Sequence, residues 1–311
     1  MISIVIPVKD GGSDLVRCLE AIRRQRVDED VEIVVVDSGS SDGSPDRARQ
    51  RGARVVEIAA HEFNHGRTRN LGAGLALGDV LVFTTQDAYA CEDDWLGRLV
   101  AAARGGEEVA GAYGRQVPHE GATPPERYFL DFLYGDLPRV QRLGGRGDVS
   151  YEVTLFSNVN AAMRTDVWSA YPFADDLIMS EDQEWSRRVL RDGYAIVYEP
   201  AAAVRHSHAY SVAGAFRRFF DSGASADRAY LGESRRSRGA LRRGAARYAL
   251  GEAAWLWRTG QRRWLPYAAA YEVAKFAGLQ LGLRHRRLPT SLKRRFSALP
   301  AYWDREADGA R

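Results

Sequence analysis

Two short runs of apolar, mostly β-branched residues near the start of the chain constrain its fold most strongly. They occupy residues 2–8 and 31–36, and glycine and polar residues follow each run. Between them, Leu15, Leu19 and Ile22 recur at the spacing of one helix face. A strand, a helix and a second strand in this order predict a β-α-β crossover, in which both strands are parallel and buried.

The same alternation continues through the first 200 residues. We predict strands at residues 55–58 and 80–84 and helices at residues 45–50 and 68–77. Beyond residue 87 the pattern is less regular, and the predicted elements are a helix at 95–103, a strand at 110–117, a glycine-rich break at 144–147, a strand at 156–163, a helix at 180–191 and a strand at 194–198 that ends before Pro200. The prediction is an α/β fold with a Rossmann-like, mostly parallel sheet flanked by helices.

The charge distribution divides the chain into two parts. Residues 205–311 contain 22 Lys and Arg against 8 Asp and Glu, a net charge of +14, whereas residues 1–204 carry −11. We therefore expect a folded domain over residues 1–210 and a basic, aromatic-rich helical extension over residues 211–311. A strongly basic extension is typical of a segment that contacts a polyanion or an anionic membrane.

Aromatic rings and arginines interleave in this extension, as in Trp255, Trp257 and Arg258. This mixture is typical of helices at a membrane interface, where rings lie among the headgroups and cations contact anionic lipid. A helical hairpin packed on the domain, with a solvated basic face or a role in a homo-oligomer, is the alternative. A nucleic-acid-binding tail is disfavoured, because Trp and Leu dilute the arginines and no RNA-binding or helix-turn-helix signature accompanies them.

Cysteine content and apolar runs indicate the compartment. The chain has only Cys18 and Cys91, far apart, which favours neither a disulfide framework nor a thiolate metal site. The N-terminus lacks a basic segment followed by a long apolar run, and no segment approaches the ~18 apolar residues of a membrane-spanning helix. We expect a cytoplasmic protein, held peripherally at the inner face of the cell membrane by its basic extension.

The residues that follow the predicted strands identify a family. Ligands of parallel α/β sheets bind at the carboxyl ends of the strands, so polar residues at these points are the first functional candidates. Their order resembles the family 2 glycosyltransferases, which have the GT-A fold. The resemblance lies in residues 4–8 (Ile-Val-Ile-Pro-Val), 35–43 (Val-Val-Asp-Ser-Gly-Ser-Ser-Asp-Gly), 69–72 (Arg-Asn-Leu-Gly) and 180–184 (Ser-Glu-Asp-Gln-Glu). It covers residues 1–210 and implies a nucleotide-binding half, residues 1–90, and an acceptor half, residues 91–210.

Two further segments resemble the bacterial rhamnosyltransferases that use dTDP-rhamnose, namely residues 63–70 (Phe-Asn-His-Gly-Arg-Thr-Arg-Asn) and 85–88 (Thr-Gln-Asp-Ala). The resemblance implies an inverting transfer of L-rhamnose to a hydroxyl of a glycan or lipid-linked glycan in cell-envelope polysaccharide synthesis. A UDP-hexose or UDP-galactofuranose donor is the nearest alternative. Nucleotidyl transfer is disfavoured, because residues 9–12 are a poor version of a phosphate-activating loop and no GxGxxG or P-loop motif occurs.

The resemblance assigns donor binding to residues near these strand ends. Asp37 could accept the imide N–H of uracil or thymine, with a turn-capping aspartate as the alternative. Arg69 could donate to a pyrimidine carbonyl or lie near the diphosphate, with a structural arginine as the alternative. The full set of expected nucleotide-sugar contacts is Pro7, Val8, Asp10, Asp37, Arg69, Gln86 and Asp87.

A nucleotide diphosphate leaving group implies a divalent cation, Mg²⁺ or Mn²⁺. Asp87 occupies the last position of the family's Asp-x-Asp signature, but Thr85 stands where the first carboxylate would be. One carboxylate is a weak site alone, so a second ligand is needed. His206 matches the family's histidine after the last strand, and His208 is the alternative.

The resemblance also assigns the general base that inverting transfer to a hydroxyl requires. Asp182 matches the family's base. Its alternative is structural, because Ser180 and Gln183 could form a capping box and acids favour helix N-termini. Glu181 would orient the acceptor or hold the loop, and Trp185 would stack on a sugar ring or pack in the core.

Overall fold

The computed structural model describes residues 1–143, 150–231 and 235–309. The predicted glycine-rich break at residues 144–147 lies outside them. The described residues form one nine-stranded mixed sheet with helices on both faces and a C-terminal group of helices. The expected α/β fold with a helical extension is therefore confirmed.

The strands are β1 Ile2–Val8, β2 Val31–Asp37, β3 Arg54–Glu57, β4 Val80–Thr84, β5 Tyr89–Ala90, β6 Val109–Val117, β7 Arg139–Gln141, β8 Asn160–Arg164 and β9 Ala195–Arg205. They fall into two halves of the sheet. β1, β2, β3 and β4 pair in parallel in the order β3-β2-β1-β4, and β8 then joins β4 to β6 by antiparallel pairing. β9 pairs in parallel with β6 and antiparallel with β5 and β7.

The helices connect these strands and then continue alone. Their bounds are α1 Gly12–Arg23, α2 Ser44–Arg49, α3 His65–Gly74, α4 Trp95–Ala103, α5 Pro124–Leu133, α6 Thr165–Ala170, α7 Glu181–Arg191, α8 Val212–Ala226, α9 Arg235–Arg258, α10 Leu265–Gly282, α11 Thr290–Phe296 and α12 Pro300–Gly309. The structure thus bears out the sequence-predicted βαβ start, and α4 has the predicted bounds.

Three predicted boundaries are wrong, and for two of them the structure shows a local reason. The helix expected from residue 68 begins at His65, because the Asn64 side chain caps it by accepting from two backbone N–H groups. The last strand does not end before Pro200 but runs to Arg205. A register shift in the β6–β9 pairing surrounds Pro200, and a proline is tolerated where no ladder N–H is needed. The strand expected at residues 156–163 is shorter, Asn160–Arg164.

The sheet separates two apolar cores. One lies under α1 and α4 and contains Ile4, Leu15 and Leu99, all fully buried. The other lies under α3 and α7 and contains Phe83 and Trp185. Strands buried on both faces explain why residues 2–8 and 80–84 are almost continuously apolar.

The C-terminal helices pack on one another and on the domain. α8 and α10 approach so closely that a side chain at Gly278 or Gly282 would meet backbone carbonyls of α8. α9 contacts α5 through the rings of Tyr128 and Trp255, whose centroids lie 5.7 Å apart. Among the described residues, no helix combines the length and the apolar character needed to cross a bilayer.

Candidate active site

The order in which strands join the sheet reverses between the parallel strands β1 and β4, because β2 and β3 lie on one side of β1 and β4 lies on the other. The polar loops that follow β1, β2 and β4 meet at this switch point. The Gln86 side chain holds the loop after β1, since its Oε1 accepts from the Lys9 N–H at 2.8 Å and its Nε2 donates to the Lys9 carbonyl at 3.0 Å. Asp10 binds the next loop, where its Oδ1 accepts from the Ser41 N–H at 2.7 Å. Gln86 and Asp10 thus build the rim of the expected donor site.

Asp37 lies at the end of β2 with its carboxylate fully buried. Its Oδ1 accepts from the N–H groups of Gly39 and Ser40 at 2.9 and 2.8 Å, and its Oδ2 accepts from the Ser40 hydroxyl at 2.5 Å. This is the turn-capping arrangement that the sequence left as an alternative. Contact with a pyrimidine would require this turn to move.

Pro7 and Val8 form the last two positions of β1. Val8 is buried, and its carbonyl accepts from the Ser38 N–H at 2.8 Å, which joins the ends of β1 and β2. Pro7 is partly exposed. Both residues therefore fix the floor beneath the loop of Lys9 and Asp10.

Two non-glycine residues among those described adopt left-handed backbone conformations, and both lie at the candidate site. Asp10 has φ 47° and Ser180 has φ 63°. Such conformations cost of order 1–3 kcal/mol and cluster where function requires an unusual backbone direction. Ser180 makes no side-chain cap, so the capping box expected with Gln183 is not formed. The local structural explanation for Asp182 therefore loses this support.

Asp87, His206 and His208 form a cluster whose nearest ligand atoms all lie within 4.8 Å of one another. Asp87 Oδ2 is 3.7 Å from His206 Nε2 and 3.6 Å from His208 Nδ1. The pairing of β5 with the end of β9 brings them together, because Tyr89 lies opposite Arg205. The structure thus unites both histidines with Asp87, where the sequence had treated them as alternatives.

A glutamine that sequence reasoning missed orients His206. The Nδ1 of His206 lies 2.9 Å from Gln116 Oε1, while Gln116 Nε2 donates to the hydroxyl oxygens of Tyr134 and Ser157. Because the amide oxygen can only accept, His206 Nδ1 must carry the proton, and Nε2 is left as a lone pair facing Asp87. Burial lowers the pKa of His206 to about 3, which keeps the imidazole neutral. Nothing in the local sequence around Gln116 signals this contact.

A second charged cluster lies at the start of α7. Arg69 Nη1 donates to Glu181 Oε1 at 2.9 Å, and both side chains are almost fully buried. The side chain of Asn158 donates to the same Glu181 oxygen at 3.1 Å. Arg69 is thus paired with Glu181, which is 112 residues away in the chain. Within the described part of the chain, Arg69 makes no contact with Asp37, the other residue expected to bind the pyrimidine.

Asp182 is the carboxylate of this cluster that keeps partial exposure. Its Oδ2 accepts from the Asn158 N–H at 3.2 Å and its Oδ1 from the Gln183 N–H at 2.8 Å. The pKa of Asp182 is raised to about 7, mainly by burial and secondly by the negative charge of Glu181. A carboxylate of this pKa can take up a proton near neutral pH, as a general base must.

Trp185 and His65 lie beside this cluster in different environments. Trp185 is fully buried, with its ring 4.9 Å from that of Phe156, so it packs in the core and offers no face to a sugar. His65 is partly buried, and burial lowers its pKa to about 4. The imidazole is therefore neutral beside the charged pair of Arg69 and Glu181.

A cleft of 770 Å³ opens next to the histidine cluster. The charged residues of its lining are of both signs: Asp14, Arg17, Asp87, Glu120 and Arg205. Arg17 Nη1 lies 3.8 Å from Asp14 Oδ1, so this arginine already has an acidic partner. The cleft is therefore a polar space beside the cluster of potential metal ligands, and the titratable carboxylate of Asp182 lies outside its lining.

Comparison with known sequences agrees with this chemistry. The sequence model of glycosyl transferase family 2 matches residues 3–170. The O-antigen chain rhamnosyltransferase RfbN of Salmonella typhimurium is 31% identical, over 97% of this chain and 96% of that protein. The O-antigen chain rhamnosyltransferase WbaN of Salmonella anatum is also 31% identical, over 88% of this chain and 86% of that protein.

Comparison with solved structures agrees with the fold. A mannosyltransferase from Pyrobaculum calidifontis, solved with GDP-Man and Mn²⁺, superposes with a TM-score of 0.57 at 20% identity, over 97% of this chain and 84% of that one. The S. aureus protein TarS, solved with UDP-GlcNAc, superposes with a TM-score of 0.52 at 14% identity, over 92% and 91%. At these identities the likeness establishes the GT-A type of fold.

Proposed function

The chain belongs to glycosyl transferase family 2, and from this premise we propose that it moves L-rhamnose from dTDP-rhamnose to a hydroxyl of a glycan or lipid-linked glycan. The end product would be a cell-envelope polysaccharide of the O-antigen kind. Two relatives that are named rhamnosyltransferases and align along most of the chain support the sugar. The sequence around His65 and Asp87, which resembles the enzymes that use dTDP-rhamnose, supports the nucleotide.

The observation that carries this proposal is the pair of charged centres described above. One centre is Asp87 with two neutral histidines, and the other is Asp182, with a pKa of about 7. Glycosyl transfer needs a means of stabilising the departing diphosphate and a base for the incoming hydroxyl. The two centres supply these two requirements separately.

In the proposed reaction, Asp182 removes the proton of the acceptor hydroxyl. The acceptor oxygen attacks the anomeric carbon from the side opposite the diphosphate, and the bond from that carbon to the phosphate oxygen breaks with its electron pair on the oxygen. Attack from the opposite side inverts the configuration of the anomeric carbon. The negative charge of Glu181 raises the pKa of Asp182 and so helps it to accept the proton, while the positive charge of Arg69 partly offsets this effect.

Asp87, His206 and His208 would hold a divalent cation. The fit is supported by three potential ligand atoms within 4.8 Å of one another and by the hydrogen bond that leaves His206 Nε2 unprotonated. When bound, such a cation would neutralise charge on the donor diphosphate. Two imidazoles beside one carboxylate suit Mn²⁺ better than Mg²⁺, which prefers oxygen ligands throughout.

A metal titration tests this assignment. We expect His206→Ala to abolish Mn²⁺ binding measured by electron paramagnetic resonance, because His206 is buried and pre-oriented. His208→Ala should have a smaller effect, since its side chain is 42% exposed and contacts Asp87 from the surface. If both variants bind Mn²⁺ as tightly as the wild type does, neither histidine is a metal ligand.

We assign the nucleotide to the rim of the switch point. Asp10 and Gln86 would shape the donor loop on the floor made by Pro7 and Val8, and Asp37 would contact the pyrimidine once its turn opens. Arg69 would contribute to the same region from the side of Glu181. These contacts are proposals that a donor-bound structure would test directly.

We also propose that the C-terminal helices bring the enzyme to an anionic membrane. Residues 253–303 contain ten Lys and Arg but a single acid, Glu272, which pairs with Lys275. One side of α10 exposes only apolar residues, with Val273 69% and Phe276 42% exposed. The residues of this side are Pro266, Ala269, Ala270, Val273 and Phe276. An apolar helix face flanked by arginines fits a bilayer that carries a lipid-linked acceptor.

Vesicle sedimentation tests the membrane proposal. The protein should sediment with phosphatidylglycerol vesicles and remain in solution with phosphatidylcholine vesicles. The double variant Val273→Glu, Phe276→Glu should lose this binding. The control Val140→Glu changes an exposed valine outside the C-terminal helices and should bind the vesicles as the wild type does. A change of oligomeric state in the double variant, with vesicle binding intact, would show that this face joins protein copies.

Donor turnover tests the proposed function as a whole. Purified protein is incubated with dTDP-rhamnose, UDP-glucose or UDP-galactofuranose, and release of free nucleotide is followed with Mn²⁺ present. We expect dTDP-rhamnose to be turned over fastest. Preferential turnover of a UDP-sugar would overturn the donor, and absence of turnover with every nucleotide sugar, with and without a lipid-linked glycan, would overturn the transferase itself.

A further inference from the structure

Arg218 on α8 joins the two centres of the site, although no sequence motif draws attention to it. Its Nη1 donates to the Met179 thioether sulfur at 2.9 Å, and Met179 lies three residues before Asp182. The same guanidinium reaches the hydroxyl of Tyr210, two residues after His208. Arg218 therefore lies between the residues that lead into the proposed base and the loop that carries the histidine cluster.

The guanidinium of Arg218 has no carboxylate oxygen within ion-pair distance among residues 1–143, 150–231 and 235–309, although its charge acts on Asp221, one turn further along α8. Its neighbours differ, since Arg228 pairs with Asp176 at 2.6 Å and Arg69 pairs with Glu181. A guanidinium has five N–H donors, and a thioether is a weak acceptor. A partly buried cation with such poor partners retains donors for an anionic ligand.

The position of Arg218 brings its positive charge near both centres. Its side chain contacts Met179, which leads into Asp182, and lies near Tyr210, which follows His208. The Asp-x-Asp signature has Thr85 in place of its first carboxylate, so the residues after β4 carry one negative charge fewer than the family pattern. A cation between these two segments is suited to contact an anion that binds between them.

We propose that Arg218 binds the diphosphate of the nucleotide-sugar donor and stabilises the negative charge that it gains as the sugar departs. This inference rests on the proposed nucleotide-sugar transfer. A guanidinium can contact two phosphate oxygens at once, which a lysine cannot, so it both orients the diphosphate and balances its charge. When the bond from the anomeric carbon to the phosphate oxygen breaks, the electron pair stays on that oxygen, which Arg218 then contacts.

Nucleotide binding to the full-length protein tests this role. Arg218→Met is compared with Arg217→Met, because Arg217 is the adjacent residue and is exposed on the same helix. Isothermal titration measures binding of thymidine, dTMP and dTDP, each with Mn²⁺ and with EDTA. We expect Arg218→Met to weaken dTDP binding by about 10- to 100-fold, the value of a hydrogen bond to a charged group, and to leave thymidine binding unchanged. Arg217→Met should bind all three ligands as the wild type does.

Arg218→Lys supplies the second variant. Lysine keeps the positive charge but lacks the planar guanidinium that can contact two oxygens at once. The affinity for dTDP should therefore lie between that of Arg218→Met and that of the wild type. If Arg218→Met fails to keep the wild-type melting temperature, Arg218→Lys still tests the role of the planar guanidinium. A loss of kcat larger than the rise in KM for the donor would indicate contact with the departing charge, which a merely structural arginine would not produce.

Several outcomes overturn the proposal. Unchanged dTDP binding in both Arg218 variants would exclude a diphosphate contact, and an equal loss of thymidine and dTDP binding would indicate a structural role. A raised KM for the lipid-linked acceptor alone would assign the cation to the acceptor phosphate. If the wild type binds UDP in place of dTDP, the proposed donor fails, but the same variants test Arg218 with UDP, since the two nucleotides share the diphosphate.

Discussion

The two charged centres of the site differ in how their charges are balanced. At the histidine cluster, Asp87 faces two neutral imidazoles and the cleft, so its charge is left for an added cation. At the start of α7, Arg69 already neutralises Glu181 within the protein, and only Asp182 titrates near neutral pH. In the proposed mechanism the first centre gains a cation and the second moves a proton.

Replacing Asp182 should have the largest effect, because it removes the proposed base of the second centre. Asp182→Asn keeps the size and hydrogen-bonding shape of the side chain but cannot accept a proton. We expect the rate of transfer to fall by about 10²- to 10⁴-fold, the usual contribution of a positioned general base, with dTDP binding unchanged. Asp175→Asn, an exposed acid on the same segment, is the control. Transfer at the wild-type rate in Asp182→Asn would refute the assigned base.

Removing one partner of the buried pair at the second centre should cost the next largest amount. Arg69→Met leaves Glu181 as an uncompensated buried charge, which destabilises proteins by about 3–5 kcal/mol. Urea unfolding measures the loss, and the double variant Arg69→Met, Glu181→Met should recover part of it. Arg67→Met, at an exposed position on the same helix, is the control. If Arg69→Met unfolds at the same urea concentration as this control, the pair does not balance charge as described.

Metal affinity at the first centre should depend on Gln116, which contacts His206 and would not itself contact the proposed cation. Gln116→Leu removes the acceptor that keeps the proton on His206 Nδ1, and losses of this kind lower metal affinity by about 10- to 100-fold. Mn²⁺ titration measures the affinity, and nitrogen chemical shifts of the imidazole report which tautomer is present. Gln261→Leu, outside both centres, should change neither. Wild-type Mn²⁺ affinity in Gln116→Leu would show that the tautomer does not depend on this hydrogen bond.

The pH dependence of transfer should change by the smallest amount. A base must be ionised, and the pKa of Asp182 is about 7, so kcat/KM of the wild type should rise with pH through about 7. Glu181→Gln removes the neighbouring negative charge, which lowers the pKa of Asp182 and moves the midpoint to lower pH. Glu184→Gln, three residues further along α7 and paired with Arg188, should leave the midpoint in place. A midpoint that stays or rises in Glu181→Gln would show that Glu181 does not set this pKa.

Much of the fold followed from the sequence because local patterns determine it. The apolar runs at residues 2–8 and 80–84 became β1 and β4, and the helix predicted at 95–103 has the same bounds in the structure. The predicted boundaries were wrong where a single side chain or a register shift sets the end of an element, as at the Asn64 cap and near Pro200. Such contacts involve single atoms that an apolar pattern does not encode.

The sequence by itself determined the family, the type of sheet and the identity of Asp87, His206 and Asp182 as candidates, because these depend on residue type and order along the chain. Only the tertiary structure showed that His208 joins His206 at Asp87 and that Arg69 pairs with Glu181 across 112 residues. It alone also showed the contacts of Gln116 with His206, of Asn158 with Glu181 and of Arg218 with Met179. These contacts join segments far apart in the chain, and their strength depends on burial. Burial and long-range contact are properties of the packed fold, so no single stretch of the sequence contains them.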